Sequence, residues 1–199
     1  MGLVVGCTLT GCTTNVTVEG GVPTPVVAKM PLHVGVYFSD EFKTFQHEEV
    51  IEQAGTWKVN LGAQNVAFFR NLFDAMFESV SETGEPPLAE SEAERFDGII
   101  VPRVAKYGFL TPQISGLNFY SASIEYEIVL YDSAGERLGS WNVVGYGKSE
   151  PGVFGHGDAL GEATMLAIRD GGARIATNLA DQPEITQWLA SRQSGHTEE

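Results

Sequence analysis

The feature that most constrains the fold of this chain is a pair of extended segments joined by a tight turn. Residues 123–131 alternate apolar and polar side chains, and residues 136–144 form the second segment. Between them, Asp-Ser-Ala-Gly at 132–135 suits a type I turn with glycine in the left-handed position. The pattern predicts an antiparallel hairpin. With a further strand predicted over residues 99–107, the stretch 97–147 reads as three successive strands.

The hairpin has two chemically different faces. One face of its first strand carries apolar and aromatic side chains: Tyr120, Ala122, Ile124, Tyr126, Ile128 and Leu130. The opposite face carries Glu125 and Glu127. Because antiparallel sheets commonly bury one face and solvate the other, we expect helices to cover the apolar face and water to meet the two glutamates.

Two segments have the period of helices that lie on such a sheet. Residues 63–80 present a broad apolar stripe made of Phe68, Phe69, Leu72, Phe73, Met76, Phe77 and Val80. Residues 158–179 present smaller side chains, and Gly171-Gly172 within them favours close packing. Further strands are predicted over residues 32–38 and 56–61. The fold class is therefore α+β, with one mixed, largely antiparallel sheet of four to five strands and two long helices packed on one face.

Composition excludes several classes of partner. The net charge is -14, so the surface repels phosphate backbones, and we expect no nucleic-acid partner. The two cysteines, Cys7 and Cys12, both fall in the first twelve residues, which excludes disulfides and cysteine-ligated zinc from the rest of the chain. No run of about 18 apolar residues occurs, so no transmembrane helix is predicted.

The first twelve residues are small, apolar and uncharged, and they end in Leu9-Thr10-Gly11-Cys12. This tetrapeptide resembles a bacterial lipobox, in which a branched apolar residue, two small residues and a cysteine are read by the lipoprotein signal peptidase. The resemblance implies that Cys12 is lipidated and becomes the mature N-terminus. Val4-Val5-Gly6-Cys7 fits more loosely, which makes Cys7 the alternative lipidation residue. No basic residue precedes Cys12 and the apolar stretch is thin; a start upstream of Met1 would account for both departures.

The domain organisation follows from this interpretation. Residues 1–12 are the remnant of a lipoprotein signal. Residues 13–29 are rich in Thr, Val, Gly and Pro without periodicity, which predicts a flexible tether. Residues 30–192 form a single α+β domain of roughly 160 residues, enough for a core of its own. Residues 193–199 are a polar, disordered tail.

Motifs for catalysis or cofactor binding fail on their physical requirements. Residues 145–149, Gly-Tyr-Gly-Lys-Ser, resemble the end of a P-loop, but Asn142 stands where the motif needs its first glycine, and Pro151 follows where a helix should begin. The histidines lack the spacing of metal ligands; they are His33, His47, His156 and His196. We therefore expect no enzyme activity, no cofactor, no metal and no nucleotide.

The layout of signal, tether, strand, helix, three strands and helix resembles the small envelope lipoproteins of Gram-negative bacteria that share an α/β sandwich. The residues that carry the resemblance are Leu9–Cys12, Asp97–Pro102 and the hairpin Tyr126–Gly135. These lipoproteins include the auxiliary lipoproteins of ABC-type transport systems, the LPS-assembly lipoprotein and the lipoprotein activators of penicillin-binding proteins. The resemblance does not select among them.

What the resemblance implies is a non-enzymatic accessory protein, anchored in the membrane through its lipid, that binds and supports a larger envelope protein complex in transport or assembly. Thr13 after the lipidated Cys12, rather than Asp, favours the periplasmic face of the outer membrane by the enterobacterial sorting rule. Two alternatives stay open. One is a periplasmic carrier of lipid or another small hydrophobic ligand, suggested by the phenylalanine-rich helix. The other is an enzyme whose site the sequence does not reveal.

Overall fold

The fold is described from a computed structural model, over residues 12–21, 23–52, 54–151 and 156–195. Its strands are β1 (Thr13–Thr17), β2 (Met30–Val36), β3 (Gln46–Ile51), β4 (Gly55–Asn60), β5 (Phe77–Glu82), β6 (Gly98–Leu110), β7 (Tyr120–Asp132) and β8 (Arg137–Ser149). Its helices are α1 (Asp40–Lys43), α2 (Gly62–Met76), α3 (Glu90–Ala93), α4 (Pro112–Ser115), α5 (His156–Asn178) and α6 (Pro183–Gly195). A 3-10 turn, Leu179–Asp181, joins α5 to α6.

The described strands form two sheets, not the single sheet that was predicted. The larger sheet has the order β5-β2-β6-β7-β8, and the smaller has the order β1-β4-β3. In the larger sheet β2 pairs in parallel with β5 and with β6, whereas β6, β7 and β8 are antiparallel. The α+β class is confirmed, but a largely antiparallel sheet is wrong. The connections between β2, β5 and β6 contain helices that return the chain to the same end of the sheet, which makes these strands parallel.

The apolar face of β7 is buried under helices, as predicted. Its six alternating side chains are each at most 1% exposed; they are Tyr120, Ala122, Ile124, Tyr126, Ile128 and Leu130. The ring of Tyr126 lies 4.9 Å from that of Phe69 in α2, and a Cβ added at Gly171 of α5 would lie 3.4 Å from the same tyrosine. Both helices therefore cover one face. Only α5, with 23 residues, is long; α2 has 15, which corrects the prediction of two long helices.

The phenylalanine-rich stripe of α2 belongs to the core. Five of its side chains are at most 2% exposed: Phe68, Phe69, Leu72, Phe73 and Met76. The helix ends at Met76 rather than Val80, because Phe77 begins β5, which pairs with β2. The serines of this segment are weak helix formers, so strand pairing satisfies its backbone instead.

Helix α5 lies directly on β8 because two glycines of that strand face it. A Cβ at Gly145 would lie 2.0 Å from the carbonyl oxygen of Ala167, and one at Gly147 would lie 2.0 Å from that of Ala163. The helix also protects the edge of the sheet, since the amide of Tyr146 donates to the carboxylate of Asp170 at 3.0 Å. This hydrogen bond satisfies one of the amides that an edge strand leaves without a strand partner.

Strand β1 corrects the first five residues of the flexible tether that was predicted over residues 13–29. It pairs in parallel with β4 from Thr13 opposite Thr56 to Thr17 opposite Asn60, and Val16 is fully buried. Its threonines and valine are good strand formers, and β4 offers them a partner. Within the described residues 18–21 and 23–29 there is no helix or strand.

The structure also adds regular elements at two other places. Helix α6 continues to Gly195, three residues into the predicted tail at 193–199, while residues 196–199 lie outside the described part of the chain. Strand β3 lies in a polar segment outside the strands that the sequence predicts. Its side chains, Gln-His-Glu-Glu-Val-Ile, give no apolar alternation, and pairing with β4 supplies the order.

Two details of the central strands agree with the sequence. Gly135 has φ of 85° and its amide donates to the carbonyl of Asp132 at 3.1 Å, as the predicted turn requires. Pro102 has no backbone N–H to donate, so it belongs near a strand start, a bulge or an edge. It lies beyond Ile100, where the pairing of β6 with β2 ends, so the missing N–H costs no ladder hydrogen bond.

Candidate functional site

Cys12, the predicted lipidation residue, lies exposed at the start of β1, and Cys7 falls outside the described residues. The carbonyl of Cys12 accepts a hydrogen bond from the amide of Thr56 at 3.1 Å. Gly55 makes this approach possible: its φ is 78°, and a Cβ there would lie 2.1 Å from the carbonyl oxygen of Cys12. The thiol therefore stands at the rim of the folded domain, one residue before a paired strand.

A surface groove lies on the face of the larger sheet that α2 and α5 leave open. Its volume is about 390 Å³, and its lining includes Tyr37, Arg103, Glu127, Tyr131 and Pro86. Glu127 pairs with Arg137 at 3.1 Å, whereas Arg103 has no ion pair or hydrogen bond within the described part of the chain. The guanidinium and the two phenols can each donate hydrogen bonds to a polar segment laid across the strands.

The segment before α3 forms one wall of this groove. Leu88 packs on a small apolar cluster on the open face, made of Ile99, Val101 and Val129. Pro87 lies so close to the β7–β8 turn that a Cβ at Gly135 would be 2.6 Å from it. On this open face of the sheet, the sequence predicts the exposure of Glu125 and Glu127 of β7, and both are half-exposed. The sequence did not point to Arg103 as a binding residue, although Arg103 pairs with Glu127 in the β6–β7 register.

The three histidines of the described residues lie in three separate surroundings. His33 Nδ1 is 2.7 Å from Ser79 Oγ, and His156 Nδ1 bonds the hydroxyl of Tyr120. His47 lies edge-on to two rings, 5.1 Å from that of Tyr107. Over the described residues no group of three His, Cys, Asp or Glu side chains is arranged to hold a metal. His196 lies outside them. The expectation that the chain is not an enzyme stays a prediction.

Two buried phenols form polar pairs within the core. The hydroxyl of Tyr126 donates to Asn65 Oδ1 at 2.7 Å, and that of Tyr107 lies 2.7 Å from Thr164 Oγ1. Burial raises the pKa of both tyrosines well above the ordinary value of 10. Both phenols therefore stay neutral at physiological pH, as partners in core hydrogen bonds.

An apolar slot between α2 and α5 bears on the hypothesis of a lipid carrier. Its volume is about 220 Å³, and its lining includes Phe68, Leu72, Gly172, Pro23 and Arg169. Ligand pockets usually measure about 300–1,000 Å³, so the slot is small for a drug-sized or lipid ligand. With the phenylalanine stripe packed in the core, the feature that suggested a carrier has a structural explanation.

One further finding concerns membrane crossing. Of the helices in the described part of the chain, none has both the length and the apolar character that a membrane span requires.

Comparison with known proteins identifies the fold but no family. No family model matches the chain, and no curated protein sequence matches it. Among solved structures, protein XCC0632 of Xanthomonas campestris, from the family DUF330, aligns with a TM-score of 0.51 at 14% identity, covering 93% of this chain and 99% of that one. A Helicobacter pylori protein described as a neuraminyllactose-binding hemagglutinin homolog aligns with a TM-score of 0.50 at 9% identity, over 85% and 95% of the two chains.

A minor lipoprotein from Acinetobacter baumannii aligns less well, with a TM-score of 0.46 at 9% identity over 77% of this chain and 94% of that one. That likeness is too weak to carry an argument. The chain thus shares its α+β fold with bacterial proteins of very different sequence. None of the lipoprotein groups named from the sequence is assigned by these comparisons.

Proposed function

We propose that this protein is a lipid-anchored accessory protein of the bacterial cell envelope, held on the periplasmic face of the outer membrane through Cys12, where it binds and supports a larger transport or assembly complex. The observation that carries the proposal is the position of Cys12. It follows Leu9-Thr10-Gly11, it is exposed, and it lies at the rim of the domain, where cleavage before it would leave β1 intact.

The groove on the open sheet face supports the binding part of the proposal. It combines Arg103, which is exposed and has no ion pair or hydrogen bond within the described residues, with the phenols of Tyr37 and Tyr131. These donors suit the polar side chains and backbone carbonyls of an extended segment from a partner protein.

Metabolic labelling with radioactive palmitate tests the anchor. The full chain is expressed in a Gram-negative host beside two variants, Cys12→Ser and Cys7→Ser. We expect label in the parent chain and in the Cys7→Ser variant and none in Cys12→Ser, because Leu9-Thr10-Gly11-Cys12 resembles the lipobox more closely than Val4-Val5-Gly6-Cys7 does. Label retained by Cys12→Ser and lost by Cys7→Ser would assign the lipid to Cys7 instead. No label in any of the three chains would refute lipid anchoring.

Site-specific photo-crosslinking in intact cells tests the partner. A photoreactive residue replaces Arg103 in the groove, and the matched control replaces Glu162, which is exposed on α5. We expect one discrete crosslinked envelope protein from position 103 and none from position 162. Equal crosslinking from both positions, or none from position 103, would contradict binding through the groove.

A further inference from the structure

The connection between β6 and β7 lies at the same end of the domain as Cys12. Thr14, two residues after Cys12, pairs with Trp57, and the ring of Trp57 lies 6.0 Å from that of Phe109 and 6.4 Å from that of Tyr120. Phe109 is the next-to-last residue of β6, and Tyr120 is the first residue of β7. Only one end of the larger sheet is therefore close to Cys12.

The direction of β4 leads to the same conclusion. His47 pairs with Val59, and its ring lies 5.1 Å from Tyr107. Val59 of β4 is thus near Tyr107 of β6, whereas Trp57, two residues earlier in β4, is near Phe109, two residues later in β6. The two strands therefore run in opposite directions. Thr56, whose amide donates to the carbonyl of Cys12, lies on the side of Trp57 that is closer to the β6–β7 connection.

This connection differs in charge from the rest of the chain. Residues 107–124 contain no acidic, basic or histidine side chain, in a protein with 19% charged residues and a net charge of -14. Three of its large apolar side chains are exposed: Leu110 by 43%, Ile114 by 44% and Leu117 by 54%. We call these three residues the loop patch.

A cation borders the loop patch. The ammonium of Lys148 lies 4.3 Å from the centre of the Phe119 ring, at the end of β8 that pairs with the start of β7. Exposed apolar side chains beside an aromatic ring and a lysine are typical of surfaces that lie in the membrane interface. Acidic side chains lie on neighbouring elements, namely Glu52, Glu150 and Asp158. Attraction to anionic lipid is therefore not the main contribution to membrane binding by the loop patch.

We propose that the loop patch inserts into the lipid bilayer beside the Cys12 anchor, so that the domain rests on the membrane at two points and in one orientation. This inference rests on the proposed function, because the anchor is what holds the patch against the membrane. Tethering converts insertion into an intramolecular event, so even weak apolar contacts are populated. Cys12 is followed at once by β1, so the domain cannot reach far from its anchor.

Lipid-borne quenching of a fluorophore tests the contact. The full, lipidated chain carries Leu117→Cys labelled with an environment-sensitive dye, in vesicles of mixed phosphatidylethanolamine and phosphatidylglycerol that contain brominated lipid. The matched control carries the dye at Leu138→Cys. Leu138 is 41% exposed on the same sheet, beside the β7–β8 turn at the opposite end. We expect quenching at 117, unchanged by high salt, and none at 138.

A second substitution measures the contribution of the patch. Adding Ile114→Asn to the Leu117→Cys chain should lower the ratio of inserted to free loop about fivefold, because a half-exposed apolar side chain no longer enters the lipid. Equal quenching at 117 and 138, or no quenching at 117, would overturn the inference.

The failure of this inference and the failure of the anchor give different results. Intact mass of each sample shows whether lipid is on Cys12. A lipidated chain without quenching at 117 keeps the anchor and refutes insertion. If Cys12 carries no lipid, the anchor fails, and insertion beside it fails with it, because the tether is what makes the weak apolar contacts populated.

Discussion

The contact between β8 and α5 gives the most demanding test of the fold, because it is made by backbone on both sides. In Gly147→Ala the new Cβ would lie 2.0 Å from the carbonyl oxygen of Ala163 and 2.5 Å from the amide nitrogen of Ala167. Contacts below 3.0 Å are essentially never observed for a Cβ, so α5 must move by about 1 Å or more. No rotamer change can relieve the clash.

We expect Gly147→Ala to lower the free energy of unfolding by about 3 kcal/mol, at the upper end of the usual cost of overpacking. For a domain of this size that corresponds to a fall in Tm of roughly 6–12 °C. Urea unfolding followed by tryptophan fluorescence and thermal unfolding followed by circular dichroism measure the two quantities.

Gly108→Ala on β6 is the matched control for this substitution. A Cβ there would meet only Ser123 Oγ, at 3.9 Å, so we expect a change within about 0.5 kcal/mol or a small gain, since glycine weakens a strand interior. The packing argument is refuted if Gly147→Ala unfolds within 2 °C of the parent chain, or if both variants lose the same stability.

Two other substitutions probe polar contacts by chemical unfolding. In Tyr126→Phe the fully buried Asn65 Oδ1 loses the hydrogen bond that the Tyr126 hydroxyl donates at 2.7 Å, so we expect the free energy of unfolding to fall by about 1–3 kcal/mol. The double variant with Asn65→Leu should lose less stability than the sum of the two single variants. Glu82→Gln should cost up to about 1 kcal/mol at pH 7, because hydrogen bonds from Arg70 and Lys43 hold the pKa of Glu82 below its usual 4.5. The stabilisation is complete at pH values above the pKa of Glu82 in the unfolded chain, and it is lost as pH falls through the lower pKa of the folded protein. A stability difference between the parent chain and Glu82→Gln that is undiminished at pH 3 would contradict this.

The parts of the fold that the sequence predicts well are those with one dominant local pattern. The six alternating residues of β7 and the Asp-Ser-Ala-Gly turn predict the hairpin and its buried face, because period and turn chemistry agree. The stripe of α2 predicts a helix over most of its length. Its last four residues, 77–80, fit a helical stripe and a strand equally well, and only the pairing with β2 decides between them.

The smaller sheet could not be predicted, because its order comes from long-range pairing. Neither Thr13–Thr17 nor Gln46–Ile51 has a strong apolar alternation, and each becomes a strand through its contact with β4. The candidate site divides in the same way. Cys12 is visible as a motif, whereas Arg103 enters the groove only when β6, β7 and the segment before α3 come together.

The strand that begins at Thr13 changes how an anchor at Cys12 would act. A domain on a flexible linker samples many orientations, but one whose first strand follows the lipidated cysteine directly is held close to the membrane. Under the proposed function, the end of the domain with Cys12 and the loop patch faces the lipid. The groove around Arg103 lies farther along the sheet, toward the β7–β8 turn. It would then face the periplasm, where a partner can reach it.

The measurement that tests the central claim most directly is the intact mass of the protein extracted from the membranes of a Gram-negative host. The account predicts a chain that begins at Cys12 and carries the added mass of a diacylglycerol and a fatty acyl group. An unmodified chain that still contains residues 1–11 and is recovered outside the membrane fraction would contradict it.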